Sequence, residues 1–98
     1  MIVHFKTVRD YLMLDLDQSY TKFLRGAFYG CYGLTELNFP ASVEIIEPYA
    51  FGDCMGLRRV NYAGTMEDWS YNRIYGDAFR GCRVSTVHCT DGVTDLCI

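Results

Sequence analysis

Residues 27–38 read AFYGCYGLTELN, and residues 50–61 read AFGDCMGLRRVN. Six of the twelve positions are identical, and the two stretches begin at Ala27 and at Ala50. A third copy begins at Ala78, again with Phe next and with a cysteine, Cys82, three residues after that Phe. A short pattern that recurs at nearly constant spacing is typical of a protein built from stacked structural repeats.

The repeated unit extends on both sides of this segment. An apolar residue stands four positions before each Ala, and a short strand-prone segment follows each cysteine. The apolar residues are Phe23, Ile46 and Ile74, and the segments are LTELNF (34–39), LRRVNY (57–62) and VSTVHC (84–89). The third copy has one residue fewer between its cysteine and its segment. The second and third Ala-Phe pairs are farther apart than the first and second, and the additional residues lie in the stretch AGTMEDWSYNRIYGD.

A period in the low twenties predicts a solenoid with one short strand per turn. A unit this short cannot cover its own apolar side, so the next unit stacks on it and equivalent positions meet along the axis. We predict about three coils of ~23–28 residues, each a strand with a short helical or irregular return that carries the Ala-Phe pair. The predicted core consists of Phe28, Cys31, Leu34, Leu37, Phe51, Cys54, Leu57, Val60, Phe79, Cys82, Val84 and Val87.

The unit resembles the leucine-rich repeats of the BspA type, which contain a cysteine and are abundant in bacterial surface proteins. Their pattern runs roughly I-P-x-S-V-x-x-I-x-x-x-A-F-x-x-C-x-x-L-x-x-I. One continuous unit of this chain matches it at Pro40, Ser42, Val43, Ile46, Ala50, Phe51, Cys54, Leu57 and Val60. Terminal repeats of that family often carry Gly-Thr…Trp and a final His-Cys-x-Asp-Gly. Gly64-Thr65…Trp69 and His88-Cys89-Thr90-Asp91-Gly92 match those segments.

The resemblance spans about residues 19–92 and implies a leucine-rich-repeat solenoid that fills residues 1–98 as a single domain. It leaves out residues 6–18 and the tail at 93–98. Family members usually stack many more coils, so the ends of a short solenoid need to be covered. We expect HCTDGVTDLCI to cap one end and residues 6–18, as a short helix or an irregular loop, to cap the other. A second copy of the chain could cover the ends instead, giving a homo-oligomer through the solenoid ends.

The resemblance also implies a function, namely protein–protein interaction or adhesion through the strand face, at a cell surface or outside the cell. The outward positions of the three strands supply the candidate binding residues, because outward and inward residues alternate. They are Glu36, Asn38, Arg59, Asn61, Thr86 and His88. Glu36 and Arg59 are expected to be neighbours that could pair across the strands. Alignment of Val3-His4-Phe5 with the later strands puts His4 on the same face. These outward polar residues could form a row that is only solvated, or a row that contacts a ligand.

The five cysteines are an odd number without a CxxC pair, which argues against a disulfide scaffold or a zinc site. Cys31, Cys54 and Cys82 are predicted to line up in the core as small apolar side chains. Side chains stacked in register point in parallel, so bridges between coils are disfavoured. A bridge between Cys89 and Cys97 remains an alternative. A metal corner of Cys82, His88 and Cys89 is disfavoured, because adjacent strand residues point to opposite faces.

Two further groups of residues have a structural and a functional interpretation. Glu67-Asp68 could form an acid pair, but a first helical turn suits them better because it attracts negative charge. The tyrosines Tyr29, Tyr32, Tyr49, Tyr71 and Tyr75 lie in returns or loops. They could pack between coils or form an interface, where tyrosine is enriched.

Several function classes are disfavoured. No GxSxG, HExxH, GxGxxG or P-loop motif occurs, so we expect neither an enzyme nor a cofactor. The net charge of −3 shows no nucleic-acid footprint, and no apolar run reaches membrane-spanning length. Lys6, Arg9 and Asp10 interrupt the apolar start of the chain, which therefore does not match a signal peptide. The sequence is consistent with a cytoplasmic chain or with a piece of a longer one.

Overall fold

The computed structural model describes residues 3–8, 11–16 and 21–96 of the chain. These residues form nine strands and one short helix. In chain order they are β1 (Val3–Val8), β2 (Tyr11–Leu16), β3 (Lys22–Phe23), β4 (Leu34–Phe39), β5 (Ile45–Ile46), β6 (Arg59–Tyr62), α1 (Met66–Tyr71), β7 (Arg73–Ile74), β8 (Thr86–Cys89) and β9 (Gly92–Asp95). The strand-prone segments of the three repeats are β4, β6 and β8.

The main sheet has the strand order β1-β2-β4-β6-β8-β9. Its four inner strands are parallel, and the two outer strands run antiparallel to their neighbours. Leu37 lies beside Val60, and Asn38 lies beside Asn61, so equivalent positions of successive repeats are in register. The period of the sequence therefore appears in space as one step across the sheet.

The return segments form a second sheet, which the prediction of one strand per coil missed. The two-residue strands β3, β5 and β7 are parallel and lie in that order. They pair because stacking brings equivalent return segments side by side. The backbone N–H of Glu47 then donates to the carbonyl of Phe23 at 2.9 Å, and that of Tyr75 donates to Ile46 at 3.2 Å. Each repeat thus contributes two strands, one to each sheet.

The Ala-Phe turns stack through their backbones. The N–H of Phe28 donates to the carbonyl of Ala50 at 2.7 Å, and the N–H of Phe51 donates to the carbonyl of Ala78 at 2.9 Å. Ala50 and Ala78 are fully buried, because a methyl side chain lets neighbouring turns approach this closely. The residue two positions after each Phe has a left-handed backbone: Gly30 (φ 74°), Asp53 (φ 53°) and Gly81 (φ 86°).

Phenylalanine rings fill the space under the turns. Phe51 stacks between Phe28 and Phe79, with ring centroids 5.2 and 5.4 Å apart and planes 4° and 8° from parallel. Phe23 and Phe39 meet Phe51 at tilted or edge angles. Aromatic pairs of this kind contribute about 0.5–1.5 kcal/mol each beyond the area that they bury.

All twelve predicted core residues lie in this core or against it. Eight are buried, while Phe28, Cys31, Cys82 and Val84 are partly buried and pack on the others. The core also contains residues outside that prediction: Phe23, Phe39, Val43, Ile46, Ala50, Tyr62, Trp69, Ala78 and Leu96.

The start of the chain differs from the expected helix or irregular loop at residues 6–18. β1 and β2 form an antiparallel hairpin, and β2 runs parallel to β4 with Leu14 beside Leu37. The segment YLMLDL alternates leucine with other residues, which is a strand pattern. The alignment of Val3-His4-Phe5 with a repeat strand is also wrong in direction, since β1 is antiparallel and β2 occupies the position next to the first repeat.

The other end is closed by α1 and by the β8–β9 hairpin. Thr65 caps α1 in a capping box with Asp68, and Glu67 and Asp68 lie in its first turn, as their charge predicts. Buried Trp69 donates its Nε1 hydrogen to the carbonyl of Leu96 at 3.1 Å. The Asp91 carboxylate accepts from the N–H of Met66 at 2.8 Å. The tail up to Leu96 is therefore bonded to the insertion of the third repeat.

Gly81 provides a test of turn stacking. We expect Gly81→Ala to lower the free energy of unfolding by at least about 1–2 kcal/mol, because alanine disfavours a left-handed backbone. In addition, a Cβ atom at Gly81 would collide with the carboxylate of Asp53. Gly76→Ala is the matched control, since its Cβ would meet open space. Urea unfolding monitored by Trp69 fluorescence measures both variants, and equal stability of the two would contradict the stacking geometry.

Candidate binding surface

The outward residues of β4, β6 and β8 form two rows that run across the sheet. The register sets Glu36 beside Arg59 and Asn38 beside Asn61, and it pairs Asn61 with His88. All six residues of the predicted strand face lie on these strands, and none is fully buried. We call Glu36, Asn38, Arg59, Asn61, Thr86 and His88 the strand face.

Hydrogen bonds connect the middle of the strand face. The side-chain amide of Asn61 donates to Oδ1 of Asn38 at 2.8 Å, and Nε of Arg59 donates to Oδ1 of Asn61 at 2.9 Å. The amide of Asn38 in turn donates to Oε2 of Glu36 at 3.4 Å. Four of the six side chains are thereby held in one network before any ligand arrives.

The partner of Arg59 was not predictable from the sequence. Glu36 and Arg59 are neighbours across the strands, as expected. However, the hydrogen bond that Arg59 makes goes to Asn61, two residues along its own strand. The asparagine amide can donate to one neighbour and accept from another, so it joins the two strands.

Backbone register extends the second row beyond the three repeats. His4 pairs with Asp15, and Asp15 pairs with Asn38. At the other end His88 pairs with Val93 of β9. The row that contains His4 thus reaches the strand face through β2, which lies in the segment expected to be a short helix or an irregular loop.

The repeated cysteines bond to the backbone of the preceding repeat. The Cys54 thiol donates to the Phe28 carbonyl at 3.3 Å, and the Cys82 thiol donates to the Phe51 carbonyl at 3.0 Å. Both thiols are free, as is that of Cys31. The thiols are therefore structural hydrogen-bond donors as well as small apolar groups, a role that the sequence pattern does not indicate.

The environment disfavours the thiolate form of Cys31, Cys54 and Cys89. Interaction with the Cys82 side chain, followed by burial, raises the pKa of Cys54, and the same interaction lowers the pKa of Cys82. Burial raises the pKa of Cys31. Burial and the charge of Asp91 raise the pKa of the Cys89 thiol. Because the thiolate is the nucleophile and the metal ligand, a raised pKa reduces both reactivities at neutral pH.

The chemistry considered around His88 is not assembled. Cys82 lies in a turn and bonds to the backbone, while His88 and Cys89 are adjacent on β8. Within residues 21–96 no group of three or more His, Cys, Asp or Glu side chains is placed to hold a metal ion. Cys89 is a free thiol, and Cys97, its considered disulfide partner, lies outside the described residues.

Four of the five tyrosines are exposed, and Tyr29 also packs against the next repeat, where its ring centroid lies 6.4 Å from that of Tyr49. Tyr29, Tyr32, Tyr71 and Tyr75 all expose more than a third of their surface. The Tyr29 hydroxyl donates to the Asp53 carboxylate of the next repeat at 2.7 Å. This hydrogen bond and the carboxylate charge raise the pKa of Tyr29. The separation of Tyr29 and Asp53 by about one period is the only sequence signal for this contact.

The part of the chain that the structure describes contains no helix with the length and apolar character that a bilayer crossing requires.

Parallel strands in register, a cysteine in every turn and a leucine-lined core define a protein of the leucine-rich-repeat class. The model of the BspA type leucine rich repeat region matches residues 4–97 in six copies. The chain belongs to this family, which confirms the resemblance seen in the sequence. The match also takes in residues 6–18, where the repeat motifs were not recognised. Neither the curated proteins nor the solved structures include a match to this chain.

Thiol labelling tests the cysteine environment. In the folded protein at pH 8 we expect iodoacetamide to modify Cys54 more than about tenfold more slowly than in the unfolded chain, because a buried thiol with a raised pKa yields little thiolate. The partly buried Cys89 should react faster than Cys54. Peptide mapping by mass spectrometry resolves the two sites, and the chain unfolded in guanidinium chloride is the control. Labelling of Cys54 at the unfolded rate would contradict the assignment.

Proposed function

We propose that the chain is a short leucine-rich-repeat solenoid of three stacked coils that binds a protein partner through its strand face. Membership of the BspA type family supports interaction with another protein in general. The observation that carries the proposal is the contrast between inward and outward positions. Leu37 and Val60 are both apolar and buried, whereas Glu36 and Arg59, on the same strands, have opposite charges.

The strand face has the properties that binding requires. Its groups combine a carboxylate, a guanidinium, two amides, a hydroxyl and an imidazole within three strands. The network from Glu36 through Asn38 and Asn61 to Arg59 orders these side chains beforehand. Preordered side chains lose less conformational entropy on binding, so more of the contact energy contributes to affinity.

The proposal is that the chain binds without catalysis and without a cofactor. The Cys54 thiol supports this proposal, because its pKa is raised and it donates a hydrogen bond to the backbone carbonyl of Phe28. The resemblance to bacterial surface proteins favours adhesion to a protein outside the cell.

A second candidate function is self-association through the ends of the solenoid. The edge strand β9 favours it, because Val93 is 52% exposed there and a free strand edge can pair with another chain. In this case the module would be part of a longer surface or fibre assembly, and the strand face would be only solvated.

Charge reversal on the strand face tests the first candidate. We expect Arg59→Glu with Asn61→Ala to weaken binding to the partner at least about tenfold, since it removes both members of the central hydrogen bond. The matched control is Lys22→Glu with Thr21→Ala, a comparable change at two exposed residues beside and in β3. Surface plasmon resonance against purified extracellular-matrix proteins measures all three forms. If the strand-face variant binds the partner with full affinity, the strand face is excluded as the binding surface.

Light scattering separates the second candidate from the first. Self-association predicts a mass above that of the 11.2 kDa chain, and Val93→Lys should return the mass to one chain because a charge on an edge strand blocks pairing. Because Val93 is exposed, we expect this variant to fold, and circular dichroism checks that. A single-chain mass at millimolar concentration would rule out self-association.

A further inference from the structure

An open cleft of about 500 Å³ lies between the second and third repeats, where their turns lead into β6 and β8. It is lined by Thr35, Met55, Gly56, Leu57, Arg58, Arg83 and Val84. None of these residues belongs to the strand face, and none was singled out as a binding residue by the sequence.

The cleft lies where the third repeat is one residue shorter than the second. The second repeat connects its cysteine to the strand segment by Cys54-Met55-Gly56-Leu57, and the third does so by Cys82-Arg83-Val84. At Gly56 the backbone packs so closely that a Cβ atom would collide with the carbonyl of Tyr32 in the first repeat. The third repeat has no equivalent of Gly56, so this close backbone contact has no counterpart between the second and third repeats.

Strand pairing also differs between the two pairs of neighbouring repeats. β4 and β6 pair at four positions, from Glu36–Arg59 to Phe39–Tyr62. β6 and β8 pair at one position, Asn61–His88. The described pairing of β6 with β8 therefore lies beyond the residues that line the cleft, on the carboxyl-terminal side of Arg58 and Val84.

The cleft combines positive charge with apolar surface. Arg58 and Arg83 are both part of its lining, one from each of the two repeats. The accessible apolar residues of the lining are Met55, which is 53% exposed, and the half-buried Val84. The described lining residues include no Asp or Glu. Guanidinium groups bind carboxylates through paired hydrogen bonds, and apolar lining favours a neighbouring apolar side chain of the ligand.

We propose that this cleft binds an acidic segment of a partner protein, with a carboxylate held by Arg58 and Arg83 and an adjacent apolar side chain against Met55 and Val84. The proposal rests on the protein-binding function inferred above and names a second contact region for it. Two arginines in the cleft suit a short acidic peptide better than a nucleic acid, because nucleic-acid affinity depends on many phosphate contacts.

A direct titration tests the cleft without knowledge of the partner. The probe is acetyl-Gly-Glu-Leu-Glu-Gly-amide, added to the ¹⁵N-labelled full chain and followed by NMR. We expect shifts at Gly56, Arg58 and Val84. In Arg58→Glu with Arg83→Glu, affinity should fall at least about tenfold, since the carboxylate then meets two like charges.

The control is Arg25→Glu with Arg73→Glu, which makes the same change in net charge at two exposed arginines outside the cleft. Unchanged affinity in this control supports the cleft. An equal loss in both variants, or shifts that avoid the cleft, would overturn the proposal, as would no binding at several millimolar peptide.

Two further ligands identify the source of the carboxylate. If glutarate binds as tightly as the peptide, the assignment to a protein segment is overturned. Tighter binding of octathymidylate than of the peptide would overturn it as well. Because the peptide titration does not involve the strand face, its failure leaves the strand-face test standing. A failure of the strand-face test likewise leaves the peptide result unchanged.

Discussion

The stacking of one Ala-Phe turn on the next is the contact on which the remaining structure depends. The Phe51 N–H donates to the Ala78 carbonyl, and the Phe51 ring lies between those of Phe28 and Phe79 at 5.2 and 5.4 Å. These contacts set the distance and the register between repeats. The rows of the main sheet, the second sheet of return segments and the strand face all follow from that register. A single repeat has no neighbour that supplies these contacts, so the fold is stable only as a stack.

The repeated cysteine follows from the same constraint. A buried turn leaves the Phe28 and Phe51 carbonyls with capacity for a further hydrogen bond, and the thiols of Cys54 and Cys82 supply it. A thiol is a weak donor and otherwise behaves as an apolar group. It therefore satisfies the carbonyl without bringing a strongly hydrated group into the core. A residue type often associated with metals or redox chemistry is here part of the packing between repeats.

Features available for function lie where the period is broken or where its positions are free to vary. The insertion of the third repeat forms α1, and Trp69 ties the tail to it through Leu96. The cleft beside Arg58 lies where the third repeat is one residue shorter. On the strand face the periodic core leaves outward positions unconstrained, so Glu36 in one repeat can become Arg59 in the next. Glu36 and Arg59 differ between repeats at one position of the strand face, whereas Asn38 and Asn61 repeat the same residue.

The sequence by itself determined the repeated strands, the inward side chains and the six residues of the strand face, because periodicity alone decides which positions must be apolar. The strand-prone segment at 34–39 coincides with β4. Only the tertiary structure decided the β1–β2 hairpin, the second sheet, the hydrogen bond from Arg59 to Asn61 and the cleft. Two-residue strands such as Ile45–Ile46 have no local signal, since their partners lie a full repeat away along the chain. The sequence pattern decides which side chains point inward and which point outward. Hydrogen-bond partners and gaps depend instead on which backbones the stacking brings together.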